Sequence, residues 1–281
     1  MKRISKTWIF ILGVFVLFGE NKAAGISVDA GLTPAEGRWI VRAQSRQMSA
    51  SAQAGTPIRE MNSQAAVLMT AYGLRSNITL IGMQGWMNRE MNMMGTVNNS
   101  SGFMDLNLLV KYLIHRSNTR SKTLGLSATA KLTLPTGEST FSDEYWSITP
   151  GMYLSFRHGT WGVDASTTIQ VRDLFSSQPD IEKGWAYSLD GAVARQLPIG
   201  TNKNMALAPV IELSLNVNKP DYFSTIEMPE PESVLYLSPG FKATYASFIL
   251  ESLIQVPIWE DIPLSSLKND IRWRLGLRFM F

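Results

Sequence analysis

Apolar and polar residues alternate with period two over most of this chain, a pattern that predicts β-strands rather than helices. In residues 122–134, Leu124, Leu126, Ala128, Ala130, Leu132 and Leu134 fall on one face, and Gly125, Ser127, Thr129, Lys131 and Thr133 on the other. Residues 161–172 set Trp161, Val163, Ala165, Ile169 and Val171 against Gly162, Asp164, Ser166, Thr168, Gln170 and Arg172. The last run sets Ile271, Trp273, Leu275, Leu277, Phe279 and Phe281 against Arg272, Arg274, Gly276, Arg278 and Met280. About twelve such runs are predicted, near 38–51, 61–74, 78–91, 104–115, 122–134, 145–157, 160–172, 186–197, 204–217, 234–242, 245–257 and 270–281.

Soluble sandwiches alternate as well, but three features separate this chain from them. Many runs cover about 11 to 15 residues, against about 5 or 6 in soluble strands; a tilted strand needs roughly 9 to 11 to cross a bilayer. The polar face carries full charges deep inside the runs, which suits a wet lumen, while the apolar face suits lipid. The links also alternate. Those after even-numbered runs are tight (Arg75-Ser76-Asn77, Arg116 to Ser121, His158-Gly159, Pro198 to Lys203, Ala243-Thr244), and those after odd-numbered runs are longer. Together these predict an all-β fold, a transmembrane antiparallel up-and-down β-barrel of about 12 strands over residues 38–281, with both ends of the barrel on the periplasmic side. Closure satisfies every backbone group in lipid and leaves no open edge. Aromatic residues such as Trp39, Trp161, Trp185, Trp259 and Phe281 fall near run ends, where interfacial girdles are expected. Pro150 and Pro209 interrupt their runs and are expected to mark bulges.

The first residues differ from the rest. Lys2, Arg3 and Lys6 precede an apolar core from Trp8 to Phe18, too short to span a membrane, and Ala23-Ala24-Gly25 offers small residues for cleavage. Residues 1–25 are therefore expected to be a signal peptide, and 26–37 a short periplasmic lead-in. Of the 26 basic and 23 acidic residues, four basic and one acidic lie in 1–25, which leaves 22 of each and no charge-based case for nucleic acid. The absence of cysteine excludes disulfides, thiolate metal sites, a cysteine nucleophile and a lipoprotein anchor. The expected location is the Gram-negative outer membrane, reached through the periplasm. Outer-membrane lipid and lipopolysaccharide are the expected surroundings. The run ending at Phe281 resembles the assembly signal that the barrel assembly machinery reads.

Candidate function centres on the charged lumen positions Asp105, Lys111, Lys131, Asp164, Arg172, Asp190, Glu212, Glu251, Arg272, Arg274 and Arg278. They either line a solute path and set its selectivity or pair across a packed interior. A barrel of about 12 strands lies between solid barrels of about 8 and open porins of about 16 to 18, so a narrow or plugged pore is expected. Candidate restrictions are the lead-in 26–37 and an inward outer loop at 218–233, stiffened by Pro220, Pro229 and Pro231. The methionines Met83, Met87, Met91, Met93 and Met94 read better as flexible packing at hydrophobic surfaces and lips than as a soft-metal site. The loop acids Asp180, Glu182, Glu227, Glu230 and Glu232 read better as solvated charge than as a divalent-cation site. No metal or cofactor is assigned.

The stretch from Ala71 through Tyr72, Gly73 and Leu74 to Leu80, and Leu124-Gly125-Leu126-Ser127-Ala128 leading to Leu134-Pro135-Thr136-Gly137 and Ser142-Asp143, resemble hairpins of one outer-membrane family. It is the family labelled "MetA-pathway of phenol degradation". The motif-level match covers roughly 65–160. It implies an outer-membrane channel or transporter for small molecules, often hydrophobic or aromatic, and carries no binding residues across. His115-Arg116-Ser117-Asn118 is similar to the His-x-Ser-Asn run of outer-membrane phospholipases, but Thr119 stands where those enzymes have glycine. Simple alternation also places His115 with Asp105, Asn107 and Lys111 on the lumen side, whereas the phospholipase site faces lipid. His158-Gly159 reads as a turn. The reading is therefore a non-enzymatic channel for passive or facilitated passage of a small-molecule solute. A non-conducting structural or surface-interaction barrel is the alternative, and a phospholipase-like enzyme a weaker one.

Overall fold

Long strands that alternate lipid-facing and lumen-facing residues can satisfy their backbone only by pairing on both sides. The computed structural model, which describes residues 24–54, 57–175, 181–200, 205–223, 226–228 and 232–281, does this by closing one antiparallel barrel of twelve strands. The strands are β1 Trp39–Ser51, β2 Arg59–Arg75, β3 Ile78–Met93, β4 in two pieces (Thr96–Phe103 and Leu106–Asn118), β5 Lys122–Leu134 and β6 Ser147–His158. The other half is β7 Trp161–Gln170, β8 Ala186–Arg195, β9 Met205–Asn218, β10 Glu232–Tyr245, β11 Phe248–Asp261 and β12 Arg272–Met280. Each strand pairs with its sequence neighbours, and β12 returns to β1 in continuous register from Ile40↔Met280 to Gln47↔Trp273. The closure reaches the last residue: the Trp39 amide donates to the Phe281 carbonyl at 2.9 Å, and the Phe281 amide donates back at 3.0 Å. Phe279 stacks between Phe248 and Phe281 with ring centroids 4.6 and 5.2 Å apart, part of an aromatic rim at that end.

Several local expectations change. The link after β3 is not a long loop. Thr96–Phe103 pairs with β3 up to Met93↔Thr96, and the hairpin turns at Met94-Gly95, both with positive φ (52° and 89°). The Asn- and Ser-rich run 97–101 looks like loop by composition, yet cross-strand pairing overrides that preference. The tight link placed at Ala243-Thr244 lies at Ala246-Ser247, because β10 continues to Tyr245. Pro150 and Pro209 make no bulge: Pro150↔Ala130 and Pro209↔Phe241 stay in register. Each removes one donor and faces outward, which the ladder accommodates. Register shifts fall instead at Gly73/Arg75, Leu113/His115 and Leu235/Tyr236, the last beside Pro257.

The shift at Leu113/His115 corrects the orientation expected for His115. The extra residue, Ile114, flips the parity that follows, so His115 pairs with Leu126 and Ser117 with Leu124, both on the lipid-facing side of β5. Residues 1–23, which carry most of the expected signal peptide, lie outside the described residues.

Candidate functional site

The lumen contains the lead-in. Residues 24–34 enter the barrel and cross the half of its lumen nearer the tight turns, held at each step by inward-facing side chains, among them the expected Lys111, Asp164 and Glu212 and, not singled out in the sequence, Arg42, Lys242 and Ser155. The Asp164 carboxylate accepts the amides of Ala24 (2.7 Å) and Gly25 (3.0 Å). Glu212 accepts those of Ile26 and Ser27 and the Ser27 hydroxyl. Lys242 donates to the Ala24 carbonyl (2.7 Å), Arg42 to that of Ile26, and Lys111 to that of Ala30 (2.6 Å). The Ser155 hydroxyl accepts the Gly31 amide (2.8 Å), while Ser127 donates to the Gly31 carbonyl (2.6 Å). At the rim, the Thr33 hydroxyl reaches the Ser76 carbonyl at 3.1 Å. Ile26 packs with Ala24, Ala194, Val210 and Leu253 in a small apolar core inside the lumen.

This segment has no periodic partner and so cannot satisfy its backbone as a strand or helix. The wall supplies carboxylates and cations instead, and charged partners make its strongest bonds. Two wall glycines make room. A Cβ on Gly125 would lie 2.5 Å from Leu32 Cδ2, and one on Gly73 would lie 2.2 Å from the Ala35 carbonyl oxygen. The space left between the segment and the wall near Ile40, Met69, Thr79 and Lys111 is a cavity of about 90 Å³. Of the two restrictions expected from the sequence, the lead-in therefore lies inside the lumen as a plug.

The plug's supports are themselves paired. Asp164 is fully buried and also takes Arg157 at 2.6 Å and the Ser155 hydroxyl at 2.5 Å. Glu251, also fully buried, sits between Arg42 and Arg278 at 2.6 Å from each. These arginines face each other across the β1–β12 seam, where like charges repel. Glu251 joins them into one cluster and offsets half of their positive charge.

The remaining predicted positions divide. Asp190 lies beside Ser166 and Ser188, Lys131 faces inward on β5 between Leu109 and Thr149, and Arg172 reaches Asn218 at 3.4 Å. Arg272 lies 4.8 Å above the Tyr236 ring. Asp105 is engaged by a loop and not by the plug. It occupies the gap between the two pieces of β4 and accepts the amides of Gly137 and Asp143 (both 2.9 Å), pinning the 135–146 loop to the wall. Burial, and then the neighbouring Asp105, raise the Asp143 carboxyl above its ordinary pKa.

The methionines are the largest gain over the sequence. Met83, Met87 and Met91 occupy inward positions on β3 and meet Met69, Ala65 and Met61 of β2 in register, giving the lumen one apolar wall. Period-two counting from Thr79 could have found this, because β3 carries no bulge. Met94 instead lies exposed in the hairpin turn. Among the described residues no group of three acidic or histidine side chains could hold a metal, and Asp180 and Glu230 lie outside them. The 218–233 loop is described only in part; its residues Asp221–Phe223 pair with Ile181–Glu182 and Ile226–Met228 in a small separate sheet.

A closed barrel with lipid-facing alternation, an aromatic rim and a charged, plugged lumen defines a transmembrane β-barrel of the outer-membrane type. The family described as "Putative MetA-pathway of phenol degradation" matches residues 8–224, and the chain belongs to it. Among solved structures it is similar to the COG4313 outer membrane channel from Pseudomonas putida F1, with a TM-score of 0.70 and 18% identity over 91% of this chain and 100% of that one. It is less similar to the β-domain of the Bordetella autotransporter BrkA, with a TM-score of 0.52 and 12% identity over 88% of this chain and 100% of that one. At these identities the likeness speaks to the fold. No curated protein sequence matches the chain.

Proposed function

We propose that this protein is an outer-membrane channel for passive passage of small molecules, apolar and aromatic ones included, whose periplasmic half is closed at rest by residues 24–34. The observation that carries the reading is the two-sided lumen. The wall of β2 and β3 presents Met69, Met83, Met87, Val67 and Ala65, and the walls of β1 and β12 present arginines. A purely structural interior would be expected to fill such space with paired side chains. An amphipathic passage instead offers one wall to an apolar body and another to a polar group. The solved channel of the same fold from Pseudomonas putida F1 fits this reading.

The test is single-channel recording of the purified protein in planar bilayers, together with swelling of liposomes in small sugars. Discrete conductance steps and swelling are the expected result. Silence in both assays would favour the structural barrel.

Assembly belongs to the same proposal. Phe281 closes the backbone ladder with Trp39 and stacks on Phe279, and we take this terminal strand as the assembly-machinery signal. Deleting Phe281 is expected to lower the amount of folded barrel in outer membranes, measured by heat-dependent gel mobility. Molecules that do assemble should keep their conductance. Unchanged yield on deletion would remove the signal role.

His115 and Ser117 share the lipid-facing side near the periplasmic rim, but among the described residues neither side chain has a hydrogen-bond partner. They form no catalytic arrangement of the nucleophile–base–orienter kind.

A further inference from the structure

Two inward positions along from the Glu251 cluster, past Gln44↔Gly276, β1 and β12 set a second pair of arginines directly opposite each other, Arg46 and Arg274. The lower pair shares the Glu251 carboxylate. The upper pair has no equivalent: among the described residues neither guanidinium has a carboxylate within ion-pair distance. Each is steered by a neutral amide. Arg46 Nε donates to Gln44 Oε1 at 3.0 Å, and Arg274 Nε donates to Gln255 Oε1 at 2.9 Å. The terminal nitrogens of both guanidiniums have no acceptor among the described residues. Gln44 spends its oxygen on Arg46, and its buried Nε2 has no partner. Arg272, the next inward residue on β12, adds a third positive charge, held by Asn269 and Tyr236. The plug's exposed Asp29 attracts Arg46 from beyond ion-pair distance.

Here donors of one sign converge, fixed in direction by their amides and lacking an acceptor. A planar carboxylate is the complement of such a group, since guanidinium donors match it two at a time. Beside the pair, the register brings Ala65 of β2 next to Arg46 and Leu253 of β11 next to Arg274, so the site is apolar at its flanks. We infer that Arg46, Arg274 and Gln44 form a binding site in the lumen for a solute bearing a carboxylate. The site rests on the channel reading and sharpens it: among small aromatic solutes, anionic acids are held above the plug in preference to their neutral analogues.

Calorimetric titration of the detergent-solubilised full chain with benzoate, and with benzamide as the neutral probe of the same shape, tests this. Benzoate is expected to bind and benzamide not. Arg46→Gln and Arg274→Gln are each expected to weaken benzoate by about tenfold, the loss of one charge-assisted bond. Heat-dependent gel mobility shows whether each variant has folded. Should one fail to fold, Gln44→Leu removes the unpartnered donor without removing charge and is expected to weaken benzoate in the same direction. Equal binding of the two probes, no benzoate binding, or benzoate binding unchanged in the folded variants would overturn the site. Bilayer recordings on the same preparation keep the two ideas apart. Conductance without benzoate binding defeats the site and leaves the channel. Benzoate binding by a silent barrel keeps the site and defeats the channel.

Discussion

Joining the export signal directly to Gly37, so that residues 24–36 are absent, is expected to raise single-channel conductance several-fold. Those residues occupy the half of the lumen nearer the tight turns and leave a cavity of about 90 Å³ beside them. Their removal exposes Asp164, Glu212, Lys111 and Lys242 to water, and these groups are already charged or hydrogen-bonding and are readily hydrated. The barrel should therefore survive, because its strands pair with one another and not with the plug. A milder route gives the same direction. Glu212→Gln keeps the shape but weakens the acceptor of the Ile26 and Ser27 amides, since a charged acceptor is worth about 1.5–3 kcal/mol against about 1 for a neutral one. More frequent opening transitions are expected in recordings of that variant. Conductance unaltered by the deletion would mean that the restriction lies elsewhere.

The second large effect concerns stability. Glu251→Ala is expected to destabilise the barrel by about 3–5 kcal/mol, the usual loss when one partner of a buried charge cluster is removed. Glu251 is fully buried, and its removal strands Arg42 and Arg278, cross-strand neighbours on the closing seam. The effect should appear as a lower urea midpoint for the refolded protein in detergent or thin bilayers. Restoring the cluster's original net charge with the double change Glu251→Gln and Arg278→Gln, which leaves Arg42 as its single charge, should recover a substantial part of the loss. A midpoint equal to that of the unaltered protein would show that lumen water screens the two arginines adequately without the carboxylate.

Much of the barrel was legible because lipid on one side and a wet lumen on the other impose period two on nearly every strand. The boundaries of β5 could be read without error, since Lys122–Leu134 alternates without interruption. Misreadings arose where the backbone departs from its period. One extra residue at Ile114 reversed the side assigned to His115, and no local signal announces such a bulge. The polar run at 97–101 reads as a loop by itself and becomes a strand only against β3.

The lumen charges were recognised as a set, but their uses were not. Alternation can say that Asp164, Glu212 and Glu251 point inward. It cannot say that two of them grip an aperiodic segment more than a hundred residues away in sequence, or that the third lies between two arginines. Such pairing depends on curvature and closure, which are properties of the whole barrel. The plug itself carries no pattern: Ala24 to Pro34 is short, small and uncharged apart from Asp29.

The central claim is that the N-terminal segment is fixed inside the lumen, and hydrogen exchange of its amides tests it most directly. In the folded protein in lipid nanodiscs, the amides of Gly25, Ile26, Ser27 and Gly31 should exchange far more slowly than in an unstructured peptide of the same sequence, because each is bonded to the barrel wall. Protection of those amides, lost when Asp164 and Glu212 are changed together to alanine, is the predicted result. Exchange across residues 25–31 at the peptide's own rate in the intact protein would contradict it.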